Sequence, residues 1–504
     1  MTRLPDPLAA AALAYLAAPS LIFLLGWLRL PAGLAASILL LIALYQLARQ
    51  LPSRVSPHSR LAFFFLLALA LTWTAFSGAG HFFYANTDWR TRDTVYADLI
   101  LSAWPPGYGL RDGAPLVLRT AMGYFLPPAL LATLTGIEFA STILFGWTAL
   151  GVALFLLLLP LPKNPGWRLV LLSLLVVFFS GMDYPAIVLI HGHLPMFPLP
   201  LEWWRQWTYT SLTGQLFWAP NHALALWLGT ALFFRHRADP ALATLGLVLL
   251  PLLLLWTPFA VVGLLPWFLW GISRVCPSAR SVLKNATPAQ WLFAAMLTVI
   301  TAGLFSRPGV SAALALSDPA GSAATTKNAG IDMALIASYV QFVAFEFGLL
   351  ALLLRPRHAE AKQMLAIAAG MLLLLPMIRF GPSNDWLLRV STPSLLILML
   401  LTLAEFDVPQ QEVRRSLRLI ALIGVLTLGA ITPFFEFARA VLWPRTPPNY
   451  SQSLIEQQEG FFAPHYFGGM DLAVLQALFR PPSPVPRAAE RQILPPPSMR
   501  RPPS

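Results

Sequence analysis

The sequence predicts an all-α, polytopic membrane protein of about 13 transmembrane helices, with its N-terminus inside and its C-terminus outside. Three features carry this prediction. Apolar runs of roughly 18–25 residues recur along the whole chain, the length a helix needs to cross a bilayer core of about 30 Å. Of 504 residues, 57% are hydrophobic and 11% are charged, and the mean hydropathy is +0.66. The basic residues gather in six short connections: Arg49, Arg54 and Arg60; Lys163 and Arg168; Arg235 and Arg237; Arg274, Arg280 and Lys284; Arg355, Arg357 and Lys362; Arg414, Arg415 and Arg418. Basic connections stay on the cytoplasmic side, so these six orient the chain.

Taken in order, the first run, about 8–28, follows a single Arg3 and exceeds the roughly 7–15-residue core of a cleaved signal, so it reads as a retained anchor. The remaining spans run about 31–48, 61–78, 139–160, 168–182, 214–234, 240–256, 258–273, 290–306, 331–354, 363–380, 389–404 and 419–438. The apolar segment "VLRTAMGYFLPPALLATL" at 117–134 does not fit as a crossing: it carries Arg119 and Pro127-Pro128, and a crossing there would put Lys163 and Arg168 outside. It reads as a juxtamembrane or re-entrant helix shielded by protein. The chain thus divides into a two-helix extension (1–60), a transmembrane domain (61–438) with a large outer loop (79–138), a small outer segment (439–479) and a tail. The outer segment includes the amphipathic stretch "MDLAVLQALF". The tail, "RPPSPVPRAAERQILPPPSMRRPPS" from Arg480, is Pro-rich and basic and is expected to be disordered.

Composition also excludes classes. The net charge of +12 comes without any aromatic-interleaved basic surface, which argues against nucleic acid as a partner. A single cysteine, Cys276, forms no internal disulfide, and no Cys/His metal pattern is present. Neither a solenoid repeat nor an inverted repeat of the transporter kind is visible.

Orientation makes 79–138, 183–213, 307–330, 381–388 and everything after about 439 external. These connections hold the candidate chemistry. The stretch "FYANTDWRTRDTVYADLI" sets Asp88, Asp93 and Asp98 beside Arg90 and Arg92. From Arg92 to Ser102, Val95, Tyr96, Leu99 and Ile100 share a helical face, the pattern of a helix lying on the bilayer. Asp88 can act as a general base or help to hold a divalent cation, and the arginines can pair a phosphate or neutralise the acids. The loop at 183–213 contains His191 and His193 in "HGH", and "EWWRQW", whose Trp204 belongs to an interfacial aromatic belt or stacks on a sugar or headgroup. "FWAPNHALALW" puts Asn221 and His222 in the first turns of a crossing, and "RFGPSNDWLLRVSTP" gives Asn384, Asp385 and Arg389 at a membrane mouth. Glu346 lies within a crossing, either as a functional carboxylate or as a protonated, hydrogen-bonded one.

This layout resembles the GT-C superfamily of integral-membrane glycosyltransferases, in the loop motif, in those two segments and in general topology. The resemblance implies a sugar donor carried on a polyprenyl phosphate or diphosphate, and an acidic loop residue that serves as base or takes part in metal binding. That residue falls on Asp88, with Asp93 as its rival and Asp98 third. The chain departs from the family in having two crossings before the usual first one. It also lacks a paired "DE" or "DxD", so Mg²⁺ or Mn²⁺ stays an open cofactor. The resemblance implies an inverting transfer at the outer face of the plasma membrane, from the lipid-linked donor to a glycan, lipid or protein acceptor of the cell envelope. Arg389, Arg92 and Arg119 would meet the donor phosphate, and His222, Asn221, Asp385 and Trp204 would contact substrate. The alternative is a transporter or flippase for a lipid-linked or small anionic substrate.

Overall fold

The structure is a computed structural model, and it describes residues 5–52, 57–111, 114–201, 207–276, 278, 281, 284–305, 333–378, 384–406, 417–457, 466–470 and 473–491. Among these residues, nine helices are long and apolar enough to cross a membrane: Pro7–Trp27, Leu30–Gln50, Ile137–Leu158, Pro258–Val275, Pro288–Phe305, Met333–Leu353, Ala359–Met377, Asp385–Glu405 and Leu417–Leu442. Arg60–Phe76, Trp167–Val177 and Leu242–Trp256 are shorter apolar helices. The run expected at 214–234 is broken into Leu212–Trp218 and Pro220–His236. Pro220 has no N–H to continue the ladder and disfavours helical backbone in the residue before it; Ala219 accordingly sits at φ −148, ψ 53.

Local chemistry sets several starts. The Asp6 carboxylate accepts from the N–H groups of Leu8 and Ala9, just ahead of Pro7 in the first turn. Ser59 caps Arg60–Phe76 and Ser211 caps Leu212–Trp218 in the same way. Residues of all six basic connections are tied into polar contacts at one end of the bundle. Arg235 pairs with Asp6 at 2.5 Å, Lys163 donates to His58, and Arg168 donates to the Phe406 carbonyl. Arg237 and Arg274 both reach Glu360, while Arg418 reaches Glu405. Of the loops expected on the other side, described parts of 79–138, 183–213 and the segment after 439 are joined at the opposite end. The Asn449 N–H donates to Asp93, the Tyr84 N–H to the Ala440 carbonyl and Arg439 Nη1 to the Pro198 carbonyl, while 307–330 lies outside the described residues. The first helix is built into the bundle rather than appended to it: Tyr15 stacks on Trp147 at 4.0 Å, and Trp256 Nε1 donates to the Leu16 carbonyl.

Three expectations are corrected at that opposite end. The segment 117–134 is not one helix. It begins as a strand, and its Pro127-Pro128 pair starts the helix Leu126–Thr135, in the first turn, where missing N–H groups cost nothing. Strands β1 (Pro106–Arg111), β2 (Ala114–Leu118), β3 (Phe467–Gly469) and β4 (Ser483–Pro484) form a small sheet ordered β3-β2-β1-β4. The second correction concerns the loop helix Trp89–Leu101. It does not lie on the bilayer, because every residue from Asp93 to Ile100 is buried. The third is the tail, which is ordered as far as Arg491. Arg480 caps the end of the first helix through the Leu25 and Leu28 carbonyls, while Arg29 returns the contact to the Gln476 and Phe479 carbonyls. The rest of the tail, 492–504, lies outside the described residues.

Candidate functional site

The site is assembled around the break at Ala219. Beside it, a cavity of about 170 Å³ opens between the loop helix, the broken crossing and the start of the 385–405 helix. Asp88 and Arg92 line one wall, Asp385 and Arg389 another, and Trp218 and His222 a third. Five sequence candidates from three distant segments therefore meet. Each acid–arginine pair is spaced one helical turn: Arg92 Nη2 donates to Asp88 at 3.1 Å, and Arg389 Nη1 lies 3.1 Å from Asp385. Arg92 is mostly covered, with 11% of its side chain exposed against 51% for Asp88. Its Nη1 is buried with no hydrogen-bond partner among the described residues. Arg92 also lies over the Trp89 ring and Arg389 over the Phe259 ring.

Residues that the sequence reading passed over fix the Asp88 turn. The Asp88 N–H donates to Asn86 Oδ1, and Asn86 Nδ2 donates to the Phe217 carbonyl at 2.8 Å. Trp89 Nε1 donates to the carbonyls of Ser77 and Phe217. The helix end left open by the break thus receives donors from the loop, which joins the two walls. Behind Trp218 lies a buried pair, Glu436 and Arg439; Glu436 accepts from Trp218 Nε1, and Arg439 stacks over the indole. The signal for it in the sequence was an acid and a base three residues apart inside the apolar run "FFEFARAVLW".

The other candidates fall elsewhere. Asn221 is buried beside the break but does not line the cavity. Arg119 Nη1 donates to the Phe305 carbonyl, and the residue does not line the cavity. Asp93 and Asp98 do not line the cavity; each is buried and satisfied by distant chain. Asp93 accepts from His81 and from the Asn449 N–H. Asp98 pairs with Arg491 and accepts from the Tyr108 hydroxyl and the Leu454 N–H. Burial pushes the Asp98 carboxyl up to about 6, against the pull of Arg491. Glu456 moves the other way: burial opposes ionisation, but donors from Ser453 and the Ala488 N–H outweigh it and lower its pKa. Trp204 lies outside the described residues. His191 and His193 are exposed, with rings 5.8 Å apart.

Glu346 sits on a π-helical turn, Ala344–Gly348, inside a crossing. It borders a second void of about 10 Å³, room for a single water, lined also by Ser180, Ser211, Leu395 and Leu398. Thr210 lines both spaces, and both border the 385–405 helix. Gly181 makes the close approach possible, since a β-carbon there would stand 2.4 Å from Glu346 Oε2. A divalent metal fits the mouth poorly. Asp88 and Asp385 would have to hold it, yet each already faces a guanidinium, and no group of three or more His, Cys, Asp or Glu suited to a metal occurs among the described residues. Compared with protein-family models, curated proteins and solved structures, the chain matches none.

Proposed function

We propose that the protein is a glycosyltransferase that moves a sugar from a polyprenyl-phosphate or -diphosphate donor to a cell-envelope acceptor, at the outer face of the plasma membrane. The observation that supports this reading is the convergence of Asp88, Arg92, Asp385 and Arg389 on one cavity at the end of an apolar bundle. A donor whose carrier cannot leave the bilayer needs an anion site at that depth. The exposed Asp88 carboxylate would take the proton of the acceptor hydroxyl, whose oxygen attacks the anomeric carbon from the face opposite the leaving group. The bond between anomeric carbon and phosphate oxygen breaks, and charge grows on the departing phosphate. Arg389 and Arg92, which line the cavity, would neutralise it. Thirteen crossings, with the basic end cytoplasmic, would place this mouth outside.

The transport alternative draws on Glu346 and on the broken crossings, features that line pathways through bundles. One assay separates the two readings. Purified protein in liposomes is given a labelled polyprenyl-phosphate sugar and a hydroxyl acceptor. Transfer that falls by roughly 10²–10⁴ in Asp88→Asn, with donor binding kept, supports the enzyme. In the same assay Arg389→Lys should bind donor partially and Arg389→Ala hardly at all. Movement of the donor between leaflets without transfer, or transfer untouched in Asp88→Asn and Arg389→Ala alike, overturns the proposal.

A further inference from the structure

We infer that His81 is a positioning residue for this site, a two-ended donor that clamps the turn bearing Asp88 and Arg92 to the 445–449 segment. The clamp is argued from geometry alone; only its consequence for catalysis rests on the transferase reading.

Both ring nitrogens face acceptors. Nδ1 is 2.9 Å from the Thr446 carbonyl oxygen, which can only accept, so Nδ1 carries a proton. Nε2 is 3.0 Å from Asp93 Oδ1, and the second Asp93 oxygen accepts from the Asn449 N–H at 2.9 Å. A further proton therefore lies between ring and carboxylate. With both oxygens engaged in the interior, Asp93 serves neither as a base nor as a metal ligand at the cavity. Neither residue is open to water: His81 is 0% exposed and Asp93 1%.

The backbone around His81 is committed to this arrangement. Its φ is +53, a left-handed conformation that a β-carbon resists. Its N–H donates to the Gly78 carbonyl, and its own carbonyl accepts from Arg445 Nε at 2.5 Å. The 445–449 segment is laced to the loop at two further points, Thr446 Oγ1 to the Ala85 carbonyl and Asn449 Nδ2 to the Arg90 carbonyl. Asp93 directly follows Arg92, and Asp88 lies just over a turn earlier. Holding Asp93 from behind fixes the face that lines the cavity.

The charged and titratable groups around the pair are few. Arg445 approaches from the 445–449 segment, Arg92 follows on the loop helix, and the phenols of Tyr450 and Tyr124 feel Asp93 from two other elements. The Trp89 ring packs edge-on against His81 at 5.8 Å. Burial pushes the His81 pKa down, but Asp93 and the Thr446 carbonyl outweigh it and hold the pKa above 6.5. The clamp's contribution is therefore complete below pH 6.5 and is lost as pH rises through the folded-state value.

Hydrogen–deuterium exchange on the purified full chain in detergent tests this. The variant is His81→Asn, because asparagine tolerates the left-handed backbone and removes only the two-ended donor. Charge-assisted bonds contribute about 1.5–3 kcal/mol, so exchange across 84–92 should quicken by roughly ten- to a hundredfold at pH 6. The opposite wall, 385–392, should not change. Wild type should show the same local loosening between pH 6 and pH 9, after correction for intrinsic exchange, and His81→Asn should show no such step. Asp93→Asn should loosen 84–92 as His81→Asn does. Equal protection of 84–92 in variant and wild type, or a wild type indifferent to pH, overturns the clamp. So does loosening of both walls together, which would make His81 a general fold residue. Transfer activity enters none of these outcomes.

Discussion

Replacing Arg491 by methionine should destabilise the packing of the tail on the loop helix by about 3–5 kcal/mol at pH 7.5, the range expected when one partner of a buried ion pair is removed. Both side chains of the Arg491–Asp98 pair are 0% exposed, so water does not screen the charge left behind. Asp98 would keep two donors, the Tyr108 hydroxyl at 2.8 Å and the Leu454 N–H at 3.0 Å, which favours the lower half of that range. In the other direction, the guanidinium also donates to the carbonyls of Pro486, Tyr450 and Gln452, and these would lose a donor. The double variant Asp98→Asn/Arg491→Met buries no charge and should recover most of the loss. Acidification should narrow the deficit of the single variant, because Asp98, already pushed up to about 6, takes a proton more readily once Arg491 is gone. The sign follows from linkage: an acid with a raised folded pKa favours the folded state while protonated, and loses that contribution as pH rises through the folded value. Thermal unfolding in detergent at pH 7.5 and pH 5, each variant against wild type at the same pH, reads all three effects. An Arg491→Met protein that melts with wild type at pH 7.5, or shows the same deficit at both pH values, refutes the keystone role.

Gly429→Ala should cost about 1–3 kcal/mol, because its β-carbon would stand 2.5 Å from the Ser180 carbonyl oxygen, a backbone atom with little room to yield. Gly424→Ala on the same helix meets nothing within 4 Å and is the control; equal melting temperatures for the two would show that 180–181 can shift. Reporter fusions at Ser56, Ser317 and after Ser504 should report inside, outside and outside. An outside signal at Ser56 would reverse the orientation and move the cavity to the cytoplasmic face.

Much of the fold class was legible because bilayer thickness converts directly into run length, and the absence of water converts an apolar run into a helix. Local spacing also exposed the acid–arginine pairs, since Asp88 and Arg92, like Asp385 and Arg389, stand one turn apart wherever the helix lies. Distance in the chain hid the rest. Asp93 and Asp98 read as rivals to Asp88 because their partners, His81, Asn449 and Arg491, come from other segments. The tail read as disordered because proline and arginine carry no periodicity, although Arg480 and Arg491 are anchored by a helix end and a buried carboxylate. Composition cannot register a partner that only tertiary packing supplies. The break at Ala219 carried a local signal, Pro220, that the unbroken reading of 214–234 passed over, and only the packed bundle showed that Asp88, Arg92, His222, Asp385 and Arg389 gather around it.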